Sequence, residues 1–228
     1  MKLSLRLKSL ANLVNSKDVV ADIGCDHAYL DIYLVVNNIV PKTLACDINK
    51  NALDIGINNI KKYGLEDKIE TKLGDGITGI SKDINTLIIS GMGTSTIIKI
   101  LSNDNIKNIN KVITQSNNDY YELRKYMVNN GFYISYEESI YDKDKYYINM
   151  VFLRGNKHYS NKELKFGTMK FNKDYYEYLV NKYKYIYSHI PKMKLIKRLT
   201  LKLDIKYLEK WWLLKLKTRF LIVILRTL

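Results

Sequence analysis

Val19-Val20-Ala21-Asp22-Ile23-Gly24-Cys25-Asp26-His27-Ala28-Tyr29-Leu30 is the stretch from which the fold can be read. β-Branched valines followed by small apolar residues suit a strand buried on both faces, the kind found in parallel sheets. The strand ends at Asp22-Ile23-Gly24, where Gly24 permits a tight turn and a close approach of the backbone to a ligand. From His27 through Leu34 the apolar residues fall at helical spacing. The reading is therefore strand, turn, helix. In an open α/β sheet ligands sit at the carboxyl ends of such strands, and this turn brings Asp26 and the first amides of the helix to that edge. The dinucleotide fingerprint needs spaced glycines, and only Gly24 is present. No Lys-Ser/Thr pair follows, so a phosphate-cradling P-loop is excluded as well.

The rest of the first two thirds repeats the rhythm. Leu3 to Val14 reads as an amphipathic helix, with Arg6 and Lys8 off its apolar stripe. Thr43 to Ile48 is strand two, with Asp47 at its carboxyl end, where an acid accepts hydrogen bonds from both hydroxyls of a ribose. Asn51 to Tyr63 is helical and Gly64 stops it. Ile69 to Leu73 is strand three, ending in Gly74-Asp75-Gly76; Asp75 is suited to accept from an exocyclic adenine amine. Thr86 to Ser90 is strand four, ending in Gly91-Met92-Gly93, and Lys111 to Gln115 is strand five, ending in Gln115-Ser116-Asn117. No element is assigned between Gly93 and Lys111. Asp119 is expected to cap a helix to Asn130. Phe132–Glu137 and Tyr146–Leu153 alternate as a closing antiparallel pair joined through Asp142-Lys143-Asp144. Strand ends carrying glycine or short polar groups, all in register at one edge, describe a site. Acids there suit an adenosyl group better than a polyphosphate, which they would repel.

The chain has 228 residues, enough for one α/β domain and an appendage. Its cysteines, Cys25 and Cys46, give neither a disulfide framework nor zinc spacing and read as packing residues in a reducing cytoplasm. The N-terminus lacks the apolar core and cleavage site of a secretory signal. Residues 1–156 carry 19 Lys and Arg against 18 Asp and Glu, whereas residues 157–228 carry 18 against 5. Almost all of the formal charge of +14 therefore lies in the last third, which suggests a polyanionic partner. There the βα rhythm is lost and apolar residues recur at helical spacing, as in a helical hairpin bent near Pro191. Phe220–Leu225 is too short to span a bilayer, and with Trp211-Trp212 before it this tail is expected to be packed.

Asp-x-Gly at the end of strand one is the pattern of class I S-adenosylmethionine methyltransferases. More specifically, Leu3-Ser4-Leu5-Arg6-Leu7, Ala21 through Leu30, Gly74-Asp75-Gly76, Ser90-Gly91-Met92-Gly93 and Gln115-Ser116-Asn117 resemble the bacterial tRNA (adenine-22-N1)-methyltransferases. The resemblance covers about residues 3–155. It implies a Rossmann-like class I α/β domain over 1–156 and a basic, all-helical, coiled-coil-like RNA-binding extension over 157–228. It implies S-adenosylmethionine as cofactor, bound by Asp22, Gly24, Cys25, Asp47, Ile48, Gly74, Asp75, Gly76, Gly91, Met92 and Gly93. Asp26, His27, Tyr29, Gln115 and Asn117 are implied on the side of the target base. The expected partner is tRNA, with no metal and no membrane; a monomer is expected, a dimer left open. The chain departs from the family's usual residues in having Asp31 and Ser116 for Pro, Thr94 for a second Gly, and Cys46-Asp47 for Gly-Glu. Asp47 keeps the acid; Ser116 changes the loop after strand five.

Two other readings stand beside this one. One is a non-catalytic RNA-binding protein on the same scaffold, against which the complete set Asp22, Gly24, Asp47 and Asp75 argues. The other is a class I enzyme for another nucleic acid or a small molecule. Adenine-N6 enzymes carry Asn/Asp-Pro-Pro-Tyr/Phe after strand four, which Gly91-Met92-Gly93 is not, and a small-molecule enzyme leaves the basic extension without a purpose.

Overall fold

The structure, a computed structural model, describes residues 3–168 and 173–210. The chain divides into two compact units, Met1–Lys170 and Phe171–Leu228. In the first, strands β1 (Val20–Ile23), β2 (Thr43–Asp47), β3 (Ile69–Leu73), β4 (Thr86–Met92), β5 (Lys111–Ser116), β6 (Phe132–Asp142) and β7 (Lys145–Arg154) form one sheet in the order β3-β2-β1-β4-β5-β7-β6. β1 to β5 pair in parallel, and β7 pairs antiparallel with both β5 and β6. Every residue of β1, β2 and β5 is buried, the polar ones at their ends included, as expected of strands covered on both faces.

The chain runs outward from β1 to β2 and β3, then crosses to β4 and β5 on the other side. Right-handed crossovers in opposite directions put the connecting helices on opposite faces. α2 (Tyr29–Val36) and α3 (Lys50–Lys62) follow β1 and β2; α4 (Thr94–Leu101) and α5 (Tyr120–Asn129) follow β4 and β5. The topological switch lies between β1 and β4, where Ile23 stands level with Cys46 on one side and Ile89 on the other. Residues following these positions therefore open onto a single edge. One core cluster joins Leu10, Leu30, Leu34, Ile88, Ile113 and Val151; another joins Ala28, Ile32, Ala45, Leu53, Ile60 and Ile69 beneath α2 and α3.

Several elements differ from the sequence reading. α1 is shorter, Leu5–Ala11, because Ser4 caps it, its hydroxyl accepting from the Leu7 amide. α4 is a helix that the reading omitted; Ile97, Ile100 and Leu101 are its buried stripe. Asp119 does not cap α5 with its side chain and stands in the left-handed region at φ 46°. The hairpin is longer than expected, and Lys143 and Asp144 both have positive φ, the two-residue type I′ pattern that suits strand twist. After β7, α6 (Asn161–Phe166) stays with the sheet unit: the buried Arg124 donates to the Leu164 carbonyl, and the Thr168 amide to the buried Glu137 carboxylate at 2.7 Å.

In the second unit, α7 (Lys173–His189) stops before Pro191, and helix resumes over 195–210. Arg198 reaches back to the carbonyls of Tyr187 and Ile190, satisfying acceptors at the end of α7. Lys184 pairs with Glu209 at 2.7 Å, so the two helices lie antiparallel. The bend expected near Pro191 is present; Trp211-Trp212 and the 220–225 run lie outside the described residues. No described helix is long and apolar enough to cross a membrane.

The two departures Thr94 and Ser116 meet each other. Their hydroxyl oxygens are 2.8 Å apart, and both hydroxyls donate to the Asn118 carbonyl, at 2.7 and 2.9 Å. The Asn118 side chain in turn accepts the Thr94 amide at 3.0 Å. Hydroxyls thus hold the loop after β5, at the two positions where the resemblance leads one to expect Pro and Gly. Thr94→Gly and Ser116→Pro should each cost about 1 kcal/mol, and the double variant less than their sum, since the second change removes a hydroxyl already lacking its partner. Urea unfolding of the four proteins measures this; strict additivity would show that the pair is not coupled.

Candidate active site at the carboxyl edge of the sheet

The turn after β1 is an unusual piece of backbone. Gly24, Asp26 and Ala28 all have positive φ, 76°, 53° and 55°. The left-handed φ is what calls for glycine at position 24; a Cβ there would also stand 2.1 Å from the Met92 methyl carbon and push that flexible side chain aside. The two non-glycine residues are held in a sparsely populated region by their surroundings. Asp47 supplies much of that hold: one carboxylate oxygen accepts the Asp26 amide at 2.9 Å, the other the Asn49 amide at 2.8 Å. Asn59 donates to the His27 carbonyl at 3.1 Å, and Gly56 lets α3 approach the turn, since a Cβ there would stand 3.3 Å from the Asp26 carbonyl oxygen.

A cavity of about 520 Å³ opens at this edge, within the range of sites that hold small ligands. Of the residues expected at the cofactor, Asp22, Gly24, Cys25, Asp47, Ile48, Gly74, Asp75, Gly76, Gly91 and Met92 line it. Of those expected at the base, Asp26, His27 and Tyr29 line it too. Gly93 does not; it precedes α4 as its N-cap. Gln115 is fully buried behind the wall, and Asn117 lines a separate concavity with Arg6 and Gly91. Asp26 is not the cap of α2, a position taken by Ala28 without a side-chain bond. Its carboxylate lies 3.5 Å from His27 Nδ1, an ion-pair distance rather than a hydrogen bond. Tyr29 is 41% exposed with the His27 ring edge-on to it at 5.8 Å, leaving a phenol ring face at the mouth.

The sequence reading missed Arg6, Leu7, Thr96, Lys99 and Ile100, which also line the cavity, as do Ile23, Leu30, Cys46 and Ser90 of the strand-end stretches. Thr96, Lys99 and Ile100 ride on α4, for which the Ile97/Ile100/Leu101 spacing was an available signal. Lys99 approaches the Asp75 carboxylate at 3.4 Å. Another missed group is Asp31, fully buried in the first turn of α2. As a carboxylate it can only accept, and the donor near it, the Thr43 hydroxyl, lies outside good hydrogen-bond geometry. Its neighbour is the buried Asp22. Burial, then each other's charge and hydrogen bonding, push the Asp22 carboxyl well above the usual range, while burial raises Asp31 to about 6. A proton carried by Asp22 would give Asp31 a donor. Burial, then the charge of Asp31, raises both thiols, Cys46 to about 12 and Cys25 beyond it, so neither is a thiolate nucleophile at neutral pH. Among the described residues no group of His, Cys, Asp and Glu could hold a metal ion.

A family model described as a methyltransferase domain matches residues 3–150. The tRNA (adenine(22)-N(1))-methyltransferase of Bacillus subtilis is 31% identical over 147 residues, 63% of this chain and 61% of the relative. Mycoplasma capricolum TrmK, solved with S-adenosyl-homocysteine, is 35% identical with a TM-score of 0.80, covering 93% of this chain and 98% of that one. A Streptococcus agalactiae protein of the NADB-Rossmann superfamily is 29% identical with a TM-score of 0.82, covering 93% and 98%. The chain spans 61% of the length of the curated B. subtilis relative and 66% of another from Mycoplasma genitalium.

The Asp22–Asp31 pair has a measurable consequence. With its pKa raised, Asp31 binds a proton in the folded chain between the unfolded value near 4 and about 6. Its contribution to stability is therefore full at low pH and is lost as pH rises through that window. Asp31→Asn supplies a permanent donor to Asp22. Its melting temperature should exceed that of the parent by on the order of 5 °C at neutral pH, the gap closing toward about pH 4. A gap that stays constant with pH would rule out the shared proton.

Proposed function

The chain belongs to the methyltransferase-domain family and, within it, to the bacterial tRNA (adenine-22-N1)-methyltransferases, and we propose that it methylates N1 of an adenine in tRNA, adenine 22 by that kinship. S-adenosylmethionine is the proposed methyl donor. One observation carries this reading: acids follow β1, β2 and β3 around a cavity roofed by Gly24 and Met92, a donor-seeking surface suited to a nucleoside and hostile to phosphates. Asp47 already accepts two backbone amides, yet each carboxylate oxygen has a further lone pair for a ribose hydroxyl. Ile48, 68% exposed at the rim, is the apolar surface for the adenine ring.

When bound, the cofactor supplies a methyl group on a sulfonium centre. The adenine N1 lone pair is unprotonated at neutral pH, so the protein's task is alignment, a source of several kcal/mol. N1 lies on the Watson–Crick edge, and a paired base must leave its stack. Tyr29 offers the extruded base a ring face at the cavity mouth. Asp26, 71% exposed by its side chain, can accept from N6 and stabilise the cationic product; His27 orients it. Asn117 lines the neighbouring concavity; its amide nitrogen already donates to the Gly91 carbonyl at 2.7 Å, which leaves its side-chain oxygen for the base. Gln115 is too deeply buried to touch a base. The proposed substrate implies a cytoplasmic protein.

We assign tRNA holding to the basic extension. Lys192, Lys194, Lys197 and Lys202 are exposed around the bend and the start of the 195–210 helix. The sheet unit, with nearly balanced charge and an acid-lined cavity, offers phosphates little.

Methylation of bulk tRNA by the full chain, with the modified base mapped, tests the reading; absence of N1-methyladenine would overturn it. Asp47→Ala should weaken S-adenosylmethionine binding by about 10- to 100-fold, the loss of bonds to an ionised acceptor. Asp26→Asn and Tyr29→Ala should lower the rate more than they lower cofactor affinity. Equal losses in rate and cofactor affinity would contradict the base-side assignment. Changing the four exposed lysines to serine should flatten the salt dependence of tRNA binding by up to about three in the log–log slope. Cofactor affinity should not change. An unaltered slope would move the RNA contacts elsewhere.

A further inference from the structure

β7 pairs with β5 only from Ile148 to Leu153, and Ile148 stands level with Ser116, the last residue of β5. Tyr147, Tyr146 and Lys145 lie past that point, paired with Ile140, Tyr141 and Asp142 of β6. Three residues at strand rise carry the hairpin about 10 Å beyond the carboxyl edge of the sheet. The main cavity opens at that same edge, so the hairpin stands as a wall beside it. A second concavity, of about 230 Å³, lies against this wall, with Tyr147, Lys143 and Asn117 in its lining. Arg6 and Gly91 line both hollows. The Asn117 amide nitrogen donates to the Gly91 carbonyl at 2.7 Å and so braces the partition between them.

An aromatic ring flanked by cations is what a single-stranded nucleic acid needs from a surface. The Tyr147 ring centre lies 5.5 Å from the Arg6 guanidinium and 5.2 Å from the Lys145 ammonium. Arg6 is engaged below the ring, its Nη1 donating to Gln115 Oε1 at 2.6 Å. Lys143 and Lys145 are exposed, and among the described residues neither meets a carboxylate within ion-pair distance. The acids between and beside them have other partners: Asp142 accepts the Arg6 backbone amide and Asp144 the Tyr141 hydroxyl, each at 3.4 Å. Resting on the reading under Proposed function, we infer that this concavity is a second nucleotide site. It takes the RNA nucleotide adjoining the target adenosine, with its base against the Tyr147 ring and its phosphate on Lys143 and Lys145.

Strand connectivity supports the placement. A base extruded into the main cavity leaves its neighbours on the strand straddling the cavity mouth. On the β2 and β3 side that mouth carries Asp47 and Asp75, which repel a phosphate. On the β4 and β5 side the hairpin rises instead, with lysines at its tip. The partition is thin, so bases on its two sides belong to adjoining nucleotides. A single phosphate contact adds little affinity, which stays with the extension, but it fixes the register of the strand over the cavity.

Single-turnover methylation of tRNA transcripts by the full chain tests the site. Beside the intact transcript, two others carry an abasic residue on the 5′ or the 3′ side of the target adenosine. Tyr147→Leu, which keeps apolar bulk without a ring, should slow the intact transcript about 10-fold, the loss of one stacked base. It should slow one of the abasic transcripts hardly at all, because the ring's partner is already gone. Tyr147→Phe should keep the parent rate. Changing Lys143 and Lys145 together to serine should lower the log–log salt slope of tRNA binding by about one. Calorimetry should find S-adenosylhomocysteine affinity unchanged in every variant. A parent rate for Tyr147→Leu, or equal slowing of all three transcripts, overturns the proposal, as does a loss of cofactor affinity that matches the loss of rate. If the unaltered chain forms no N1-methyladenosine in the intact transcript, the reading under Proposed function falls and this site falls with it. That outcome is distinct from a methylating chain whose hairpin variants behave like the parent.

Discussion

The geometry of the site hangs on the carboxylate of Asp47, which accepts one backbone amide from the turn after β1 and one from the start of α3. A hydrogen bond to an ionised acceptor contributes about 1.5–3 kcal/mol. That is the scale needed to hold Asp26 at positive φ, a conformation costing on the order of 1–3 kcal/mol for a non-glycine residue. The turn, in turn, aims Asp26, His27 and Tyr29 into the cavity. A side chain proposed to bind ribose is therefore also the clamp that shapes the base-side loop. The two duties are compatible because a carboxylate has more lone pairs than the two the backbone uses.

Beneath that clamp lies a cost the fold carries rather than avoids. Asp31 stands in the first turn of α2, where a proline's missing N–H would matter little. An acid in a first turn is favoured by the helix dipole, but this one is buried beside Asp22 without a cation. Sharing a proton resolves the conflict: the pair then carries one negative charge, and each group meets a hydrogen-bonding partner. The raised cysteine thiols are a further sign of the same acidic, poorly solvated floor.

How much of this was legible in the sequence follows from physics that is local or not. Strands β1, β2 and β4 were readable because buried parallel strands are written as largely apolar runs closed by glycine or acid, whereas β3, a half-exposed Ile-Glu-Thr-Lys-Leu at the sheet edge, was readable mainly from the Gly74-Asp75-Gly76 that closes it. Their shared edge made Asp22, Gly24, Asp47 and Asp75 readable as one site. α4 was not, since Thr94-Ser95-Thr96-Ile97-Ile98 is rich in β-branched residues that mimic a strand. Losing α4 also lost Thr96, Lys99 and Ile100 from the site. Arg6 was visible as a charge off an apolar stripe and within the Leu3–Leu7 motif; that it reaches Gln115, 109 positions away, no periodicity reveals. The Thr94–Ser116 pair was hidden for the same reason, each residue looking like an isolated departure until the sheet brought them together.

The division of charge along the chain completes the argument. A cavity walled by Asp22, Asp26, Asp47 and Asp75 repels the phosphates that surround any nucleotide in RNA. Such a wall admits a base by its edge and ring face while holding the backbone off, a useful filter but a poor source of affinity. Affinity for a polyanion must then come from elsewhere in the chain, and 18 of its 37 basic residues follow residue 156, where only 5 acids accompany them. On the proposed reading, the acid-lined cavity of the sheet unit and the basicity of the extension are one design constraint seen from two sides. The more strongly the cavity selects for an uncharged base over phosphate, the more phosphate binding the extension has to supply.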